Sequence, residues 1–468
     1  MTIPLAGVEE RAAHRGSRWA KRLRRIAEHS GASRGFAVQG TLTRMIGLTL
    51  EAQGCRAAVG SRCMVTTAAD EAVEAEVVGF NANSLLLMPT GNVQGVVPES
   101  RVIPSRRVFE GRVGEQILGR IVDGAGQPID GAGALRCEER VQLTPGPINP
   151  LERAPIDKPL DVGIRSINGL LTVGQGQRMG LFAGSGIGKS MLLGMMSRYT
   201  SADVIVVGLI GERGREVREF VANNLDAESR RRAVIVATPA DHPPLVRMHG
   251  ALLASAIAEY FRNQGRHVLL LMDSLTRYAQ AQREISLAIG EPPVTKGYPA
   301  SVFARLPQLV ERAGNGGKRG GSITAFYTVL NESDDHNDPI ADAARAVLDG
   351  HVVLSRGLAD SGLYPAIDIE ASISRSMQAV TTPAQRQLVQ RFRQLSAAYA
   401  RNRDLITVGA YAHGSDPRVD EAIKHWPAML GYLQQDAGQR VTLEQSVADL
   451  GQLFNDEPAT AQPEQINA

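Results

Sequence analysis

The sequence predicts an α/β core with a mostly parallel sheet, preceded by a β-barrel domain and followed by a helical domain. Near-continuous apolar runs such as VIVVGLI (204–210) and HVLLLMD (267–273) alternate with helical segments, and a glycine-rich turn before Lys189 joins one such run to a helix. Parallel strands covered by helices on both faces have this uninterrupted apolar character. After Pro383 the strand-like runs stop and helical periodicity takes over.

The composition is that of an ordinary globular protein. The chain has 468 residues, enough for several domains, and its net charge of +2 argues against a general polyanion binder. Aromatic residues make up 4% of the chain, which disfavours stacking platforms for single-stranded nucleic acid. Three cysteines without metal-ligand spacing (Cys55, Cys63 and Cys137) are expected to be reduced thiols. No apolar run approaches the roughly 20 residues of a membrane span, so we expect a cytoplasmic protein.

The first 105 residues divide into an arm and a β-rich domain. Residues 1–30 contain a basic amphipathic helix, in which Trp19, Leu23 and Ile26 recur at helical spacing beside arginines. This arm is predicted to pack on its own domain or to bind a partner or an anionic membrane surface. Residues 31–105 consist of short, turn-punctuated runs such as EAEVVGF and NSLLLMP, which fit a small antiparallel barrel.

The remaining residues are predicted to form four segments. A Gly- and Pro-rich linker spans 106–150, the α/β core 151–382, a helical domain 383–455, and a polar, disordered tail 456–468. The core strands include, besides the two already quoted, AVIVAT (233–238), SITAFYTVL (322–330) and HVVLSR (351–356). In the helical domain, one apolar stripe is formed by Leu388, Phe392, Leu395 and Tyr399.

The segment LFAGSGIGKSMLL (181–193) has the pattern of a phosphate-binding loop between a strand and a helix. Its glycines let successive backbone N–H groups and the helix N-terminus point at phosphate oxygens. Lys189 would reach the β- and γ-phosphates, and the Ser190 hydroxyl would bind Mg²⁺. The nucleotide-binding residues expected here are Gly184, Ser185, Gly186, Ile187, Gly188, Lys189 and Ser190.

Two carboxylates complete the predicted site. Asp273 ends the apolar strand HVLLLMD, where it could hold the Mg²⁺ shell; the alternative is a helix cap. Glu212 follows the strand VIVVGLI and could polarise the attacking water. Taken alone, Glu212 could equally form a surface ion pair with Arg213 or Arg215.

In order along the chain, these motifs resemble the catalytic β-subunit family of rotary ATP synthases and, more closely, the ATPases of type III protein export. The resemblance covers roughly residues 30–455 and rests on VGEQILGRIVDGAGQPIDG, GLFAGSGIGKS, GERGREV, DSLTRYAQAQREIS, GEPPVTKGYPASVFARLPQLVERAG and YPAIDIEASISRSM. It implies a RecA-like phosphate-loop ATPase that uses ATP and Mg²⁺ and assembles as a homohexamer. Ala183 stands where the strict loop pattern has glycine, but it needs only an ordinary backbone conformation and is what the export branch carries.

The resemblance also implies roles for individual residues. Lys189 and Ser190 bind phosphate and Mg²⁺, Asp273 belongs to the Mg²⁺ shell, and Glu212 is the catalytic carboxylate. The γ-phosphate site is organised by Arg213 and Arg277.

The resemblance implies further roles at the subunit interface and beside the adenine. Arg375, in ASISRSM, corresponds to a finger arginine that enters a neighbouring subunit's site; the alternative is a salt bridge within its own domain. Tyr364 and Tyr411 correspond to rings that flank the adenine, with core packing as the alternative. The polar loop before Pro339 looks superficially like a metal cluster, but we interpret it as a loop with Asp338 as a helix cap.

Within the export ATPases, YPAIDIEASISR and the basic arm look more like the flagellar member than the virulence-injection member. The flagellar resemblance implies a dimeric regulator on the arm, a central stalk protein, and chaperones and flagellar substrates on the C-terminal domain. It also implies an export gate, a location at the inner face of the cytoplasmic membrane with contact to anionic lipid, and no nucleic acid. The alternatives are an injectisome ATPase, a ring-shaped nucleic-acid motor and a non-catalytic ring subunit, the last disfavoured by Glu212.

Overall fold

A computed structural model describes residues 38–184, 186–317, 320–330 and 338–454, without the side chain of Arg106. The predicted arm (1–30) and tail (456–468) lie outside these residues. The chain forms two compact units, of which the first is the β-barrel and the second contains the core and the C-terminal helices.

The first unit is a closed six-stranded barrel with strand order β1-β2-β5-β4-β3-β6. Alternate residues face its interior, as expected for strands that are half buried; along β3, for example, Cys63 and Val65 are buried while their neighbours are half buried. The six strands are β1 (Gly40–Ile46), β2 (Thr49–Gln53), β3 (Ser61–Thr66), β4 (Ala72–Asn81), β5 (Ser84–Pro89) and β6 (Arg101–Val108).

The second unit is built on a large sheet. Its further strands are β7 (Glu110–Val113), β8 (Ile121–Val122), β9 (Glu139–Gln142), β10 (Pro159–Leu160), β11 (Val173–Gly174), β12 (Arg178–Ala183), β13 (Val204–Ile210), β14 (Ala233–Thr238), β15 (His267–Asp273), β16 (Pro293–Thr295), β17 (Tyr298–Pro299), β18 (Gly314–Asn315), β19 (Ser322–Leu330), β20 (Gly350–Leu354) and β21 (Ile367–Ser374).

The main sheet has the order β21-β20-β12-β19-β15-β13-β14-β8. Adjacent strands run parallel from β20 to β8. The edge strand β21 pairs antiparallel with β20, and β18, which lies outside this order, pairs antiparallel with β19. The interior strands β13 and β14 are buried at every residue. Burial on both faces explains the continuous apolar runs that predicted this sheet.

The helices are α1 (Arg165–Leu170), α2 (Lys189–Tyr199), α3 (Gly214–Asn223), α4 (Ala227–Arg231), α5 (Pro244–Asn263), α6 (Leu275–Ala288), α7 (Ala300–Val310), α8 (Pro339–Val347), α9 (Arg356–Asp360), α10 (Met377–Val380), α11 (Pro383–Thr407), α12 (Pro417–Leu433) and α13 (Leu443–Gln452), with 3₁₀ turns at Glu115–Ile117 and Pro150–Glu152. The predicted stripe of α11 packs inward: Phe392 and Leu395 are buried, and Leu388 and Tyr399 pack against the same core cluster.

The predicted fold class is confirmed: a barrel precedes a mostly parallel α/β core, and helices follow it. The segment 106–150, predicted as a linker, does more than connect. Its strand β8 pairs in parallel with β14 and forms one edge of the main sheet. Two residues of strand between glycine-rich turns are too short to give a periodic signal in the sequence.

Two further observations concern the cysteines and the length of the helices. Cys55, Cys63 and Cys137 are buried, free thiols. No helix in the described ranges is both long and apolar enough to span a membrane.

Candidate active site

The predicted phosphate loop connects the carboxyl end of β12 to the first turn of α2. Ala183 ends β12 in strand conformation, so the position that departs from the strict pattern needs no glycine. Gly186 and Gly188 have φ of 79° and 91°, in the left-handed region that favours glycine. Gly188 caps α2 without a side-chain hydrogen bond, which leaves the first N–H groups of the helix available to an anion. Ser185 lies outside the described residues.

Three predicted residues from distant parts of the chain meet at Lys189. Its Nζ lies 2.7 Å from Asp273 Oδ1 and 3.2 Å from Glu212 Oε1. All three side chains are largely buried, at 6–12% exposure. Burial opposes the charged ammonium, yet the two carboxylates prevail and raise the pKa of Lys189. The residues after β13 and at the end of β15 therefore place two carboxylates around the Lys189 ammonium, at the start of the helix that follows the phosphate loop.

Glu212 is placed by a sharp turn after β13. Gly211 has φ of 70°, and a Cβ there would lie 2.8 Å from Cβ of Arg277, so only glycine fits this turn. Burial and a hydrogen bond with Glu216 raise the pKa of Glu212, whereas Lys189 lowers it. The net rise moves this carboxylate toward the range of a general base. Its inward position rules out the alternative of a surface ion pair.

Asp273 does not cap the helix that follows it. Ser274 does so instead, because its Oγ accepts a hydrogen bond from the Arg277 N–H at 3.2 Å. Burial raises the pKa of Asp273, while Lys189 and a hydrogen bond from Thr328 Oγ1 at 2.6 Å oppose that rise. Sequence reasoning missed Thr328; its only signal is a hydroxyl near the carboxyl end of an otherwise apolar strand.

The two predicted γ-phosphate arginines occupy different surroundings. Arg277 packs on Gly211, and its Nη1 donates to Gln280 Oε1 at 2.9 Å. Its buried Nε has no hydrogen-bond partner among the described residues. Arg213 is the N-cap residue of α3 and is exposed, with no described contact to Lys189. The structure therefore brings Arg277 to the Glu212 turn but leaves Arg213 pointing to solvent.

Arg375 lies at the amino ends of the parallel strands, whereas its own phosphate loop lies at their carboxyl ends. It directly follows Ser374, which pairs with Gly350 at the amino end of β20. Since β20 and β12 run parallel, the loop after β12 lies at the other edge, a full strand length of about 20 Å away. The side chain is exposed, and within the described ranges it forms no salt bridge. Arg375 therefore cannot reach the phosphate loop of its own chain.

The two predicted adenine-flanking tyrosines are placed differently. Tyr364 borders the loop, because a Cβ on Gly188 would lie 3.4 Å from two carbons of its ring. Tyr411 lies in the turn before α12, with its hydroxyl 3.0 Å from both Asp416 O and Asp420 Oδ1. No contact in the described part of the chain joins Tyr411 to Tyr364, and its role at the base stays a prediction.

The oxygen atoms near the phosphate loop suit a Mg²⁺ ion that is bound together with a nucleotide, and they do not form a metal site made of protein ligands alone. The described residues contain no group of three or more His, Cys, Asp or Glu that could hold a metal. Mg²⁺ in nucleotide sites typically takes one or two protein oxygens and completes its shell with phosphates and water. The exposed Ser190, at the second position of α2, and the Asp273 carboxylate supply such oxygens. The predicted cap is also seen: the Asp338 carboxylate accepts from two N–H groups of α8.

Comparisons with known proteins assign the two larger parts of the second unit. Residues 163–374 match the ATP synthase alpha/beta family, nucleotide-binding domain, and residues 381–452 match the T3SS EscN ATPase C-terminal domain. The chain is 58% identical to the flagellum-specific ATP synthase of Pseudomonas aeruginosa over 93% of this chain and 97% of that protein. The Salmonella typhimurium protein of the same name is 57% identical over 89% and 93%.

ATPases of virulence-type secretion match at lower identity than these two flagellar proteins. The type 3 secretion system ATPase of Xanthomonas euvesicatoria is 45% identical over 89% of this chain and 94% of that protein. The solved structure of the assembled ATPase EscN from enteropathogenic E. coli superposes with a TM-score of 0.84 at 43% identity, covering 88% of this chain and 99% of EscN. The flagellar prediction is thus confirmed over the injectisome alternative. The chain belongs to the flagellum-specific ATP synthase family, a family of ATPases related to those of type III secretion.

Proposed function

We propose that this protein is the ATPase of the flagellar type III export apparatus and that it hydrolyses ATP at interfaces between six copies. The observation that carries the proposal is the Lys189, Glu212 and Asp273 cluster below the phosphate loop. A phosphate loop alone explains nucleotide binding. The buried carboxylate of Glu212, whose pKa is raised, adds a group that can act on water.

Each residue of the cluster has a separate task in this proposal. The ammonium of Lys189 exchanges its carboxylate partners for the β- and γ-phosphates, and the N–H groups at the start of α2 bind the same phosphates. Glu212, released from Lys189, orients the attacking water and accepts its proton. Ser190 and Asp273 would hold Mg²⁺, which neutralises phosphate charge when bound. The Tyr364 ring beside Gly188 would provide a face for the base.

The position of Arg375 supports a ring of subunits. Because its own phosphate loop lies at the other edge of the sheet, this arginine can act only on a neighbouring subunit's nucleotide. An arginine supplied across an interface stabilises charge on the transferred phosphoryl group, with an effect on the order of 10³ to 10⁵ in rate. The similarity to the assembled ATPase EscN, and to EscN in complex with its central stalk EscO, supports the hexamer and a stalk protein.

The remaining partners are proposed from the family resemblance. The basic arm would bind a dimeric regulator and anionic lipid at the inner face of the cytoplasmic membrane, consistent with its arginine-rich sequence. The C-terminal helices would receive chaperones and flagellar substrates and pass them to the export gate.

The catalytic assignment is tested with Glu212→Gln. This change keeps the side-chain shape but removes the base, so we expect ATP turnover to fall at least 10²-fold with nucleotide binding retained. Glu219→Gln, which alters an exposed carboxylate on α3, the helix that follows Glu212, is the matched control and should keep wild-type turnover. Undiminished hydrolysis by Glu212→Gln would show that another group activates the water.

A further inference from the structure

Thr328 lies on the strand between the two strands that carry the phosphate loop and Asp273. Its strand β19 runs between β12, which leads into the phosphate loop, and β15, which ends in Asp273. Thr328 is paired with Leu181 of β12, and its neighbour Tyr327 is paired with Met272 of β15. The threonine side chain is completely buried. A buried hydroxyl is costly unless it forms a hydrogen bond, so its partner is informative.

The nearer of its two acceptors is the carboxylate of Asp273; the other, the Met272 carbonyl, lies 3.4 Å away. Thr328 Oγ1 donates to Asp273 Oδ1 at 2.6 Å, and Lys189 Nζ approaches the same oxygen at 2.7 Å. Both donors engage Oδ1, so neither of these two bonds uses Oδ2. Two donors on one oxygen restrict the rotation of this buried carboxylate.

A second threonine holds the backbone that carries Thr328. Leu330 N–H donates to Thr276 Oγ1 at 2.9 Å, which ties the end of β19 to the first turn of α6. Thr276 is itself buried. The two bonds connect the end of β19 to both sides of the β15–α6 junction. The Thr328 hydroxyl is therefore held at a fixed position relative to Asp273.

We propose that Thr328 is a positioning residue for the metal-binding carboxylate. When Lys189 leaves Asp273 for the phosphates of a bound nucleotide, the Thr328 bond remains and keeps the carboxylate oriented toward the metal shell. Outer-shell hydrogen bonds of this kind change metal affinity or activity by about 10- to 100-fold when removed. The inference rests on the proposed function, because it assigns Asp273 to Mg²⁺.

The test compares three variants of β19. Thr328→Val removes the hydroxyl and keeps the shape, and Thr328→Ser restores the hydroxyl. Thr324→Val is the matched control, because Thr324 is buried on the same strand but its Oγ1 accepts from Gly176 N–H at 2.9 Å, away from Asp273. A fluorescent ATP analogue is titrated into each protein in EDTA, and Mg²⁺ is then titrated at fixed ATP while hydrolysis is followed.

We expect Thr328→Val to bind the analogue in EDTA within about twofold of wild type and to need about 10-fold more Mg²⁺ for half-maximal hydrolysis. Thr328→Ser and Thr324→Val should stay close to wild type in the Mg²⁺ titration. The inference is overturned if Thr328→Val has the wild-type Mg²⁺ requirement, or if Thr324→Val shifts it equally. Failure of the proposed function would look different, because the wild-type protein would then show no Mg²⁺-dependent hydrolysis at all.

Discussion

Gly186 and Gly188 determine the shape of the phosphate loop by their backbone conformations. Both have positive φ, and a Cβ on Gly186 would lie more than 4 Å from every atom of the described residues other than its chain neighbours. A side chain at Gly186 would therefore act through backbone strain alone and not through a clash. An alanine in the left-handed region costs roughly 1–2 kcal/mol, so the loop would relax away from the conformation that binds phosphate.

Gly186→Ala is accordingly predicted to weaken nucleotide binding about tenfold, since 1.4 kcal/mol corresponds to that factor. Fluorescence titration with a nucleotide analogue measures the change. Gly131→Ala is the matched control, because Gly131 has φ of 72°, similar open space and no part in the site. Equal affinities for Gly186→Ala and wild type would mean that the loop does not need this conformation.

At the scale of elements, the edge strand β8 depends on one ion pair. Arg120 donates to both carboxylate oxygens of Asp130 at 2.7 and 2.9 Å, and the Ile121 N–H donates to Oδ2 at 3.0 Å. The Asp130 side chain is only 4% exposed. The hydrogen bond from Arg120 holds the pKa of Asp130 well below its usual range, although burial opposes the shift. This pair fastens a strand too short to be stable by its own pairing.

Asp130→Asn should lower the stability of the core by about 2–3 kcal/mol at pH 7, because it leaves Arg120 without its counter-charge. A lowered folded pKa gives stability that is complete above the unfolded value of about 4 and is lost as pH falls through the folded pKa. The difference between variant and wild type should therefore shrink below pH 4. Urea denaturation at pH 7 and at pH 3.5 measures both effects, and a pH-independent difference would contradict the ion-pair explanation.

At the scale of the whole molecule, the proposed active site takes residues from two copies of the chain. Glu212 and Arg375 lie at opposite edges of one sheet, so a proposed site takes its carboxylate from one subunit and its finger arginine from the next. If the proposal holds, ring assembly is a condition for hydrolysis rather than a consequence of it.

Mixing two inactive variants tests this arrangement. Arg375→Ala and Glu212→Gln should each lack turnover, but a mixed ring contains interfaces with an intact Glu212 on one side and an intact Arg375 on the other. With equal, random mixing about a quarter of the interfaces are intact, so turnover should reappear in the mixture. Subunit exchange is measured separately, by energy transfer between the two variants after each has been labelled with a different fluorophore. An inactive mixture in which exchange is demonstrated would place Arg375 outside the neighbouring site.

The sequence alone determined what depends on local pattern. Apolar runs predicted the sheet, glycine spacing predicted the phosphate loop, and the ordered motifs predicted Lys189, Glu212 and Asp273. Tertiary structure decided what depends on strand order and register. Only the placement of β19 between β12 and β15 brings Thr328 to Asp273, and only the antiparallel edge strand β21 puts Arg375 out of reach of its own loop. Register and strand order are set by packing between segments far apart in the chain, which no local periodicity encodes.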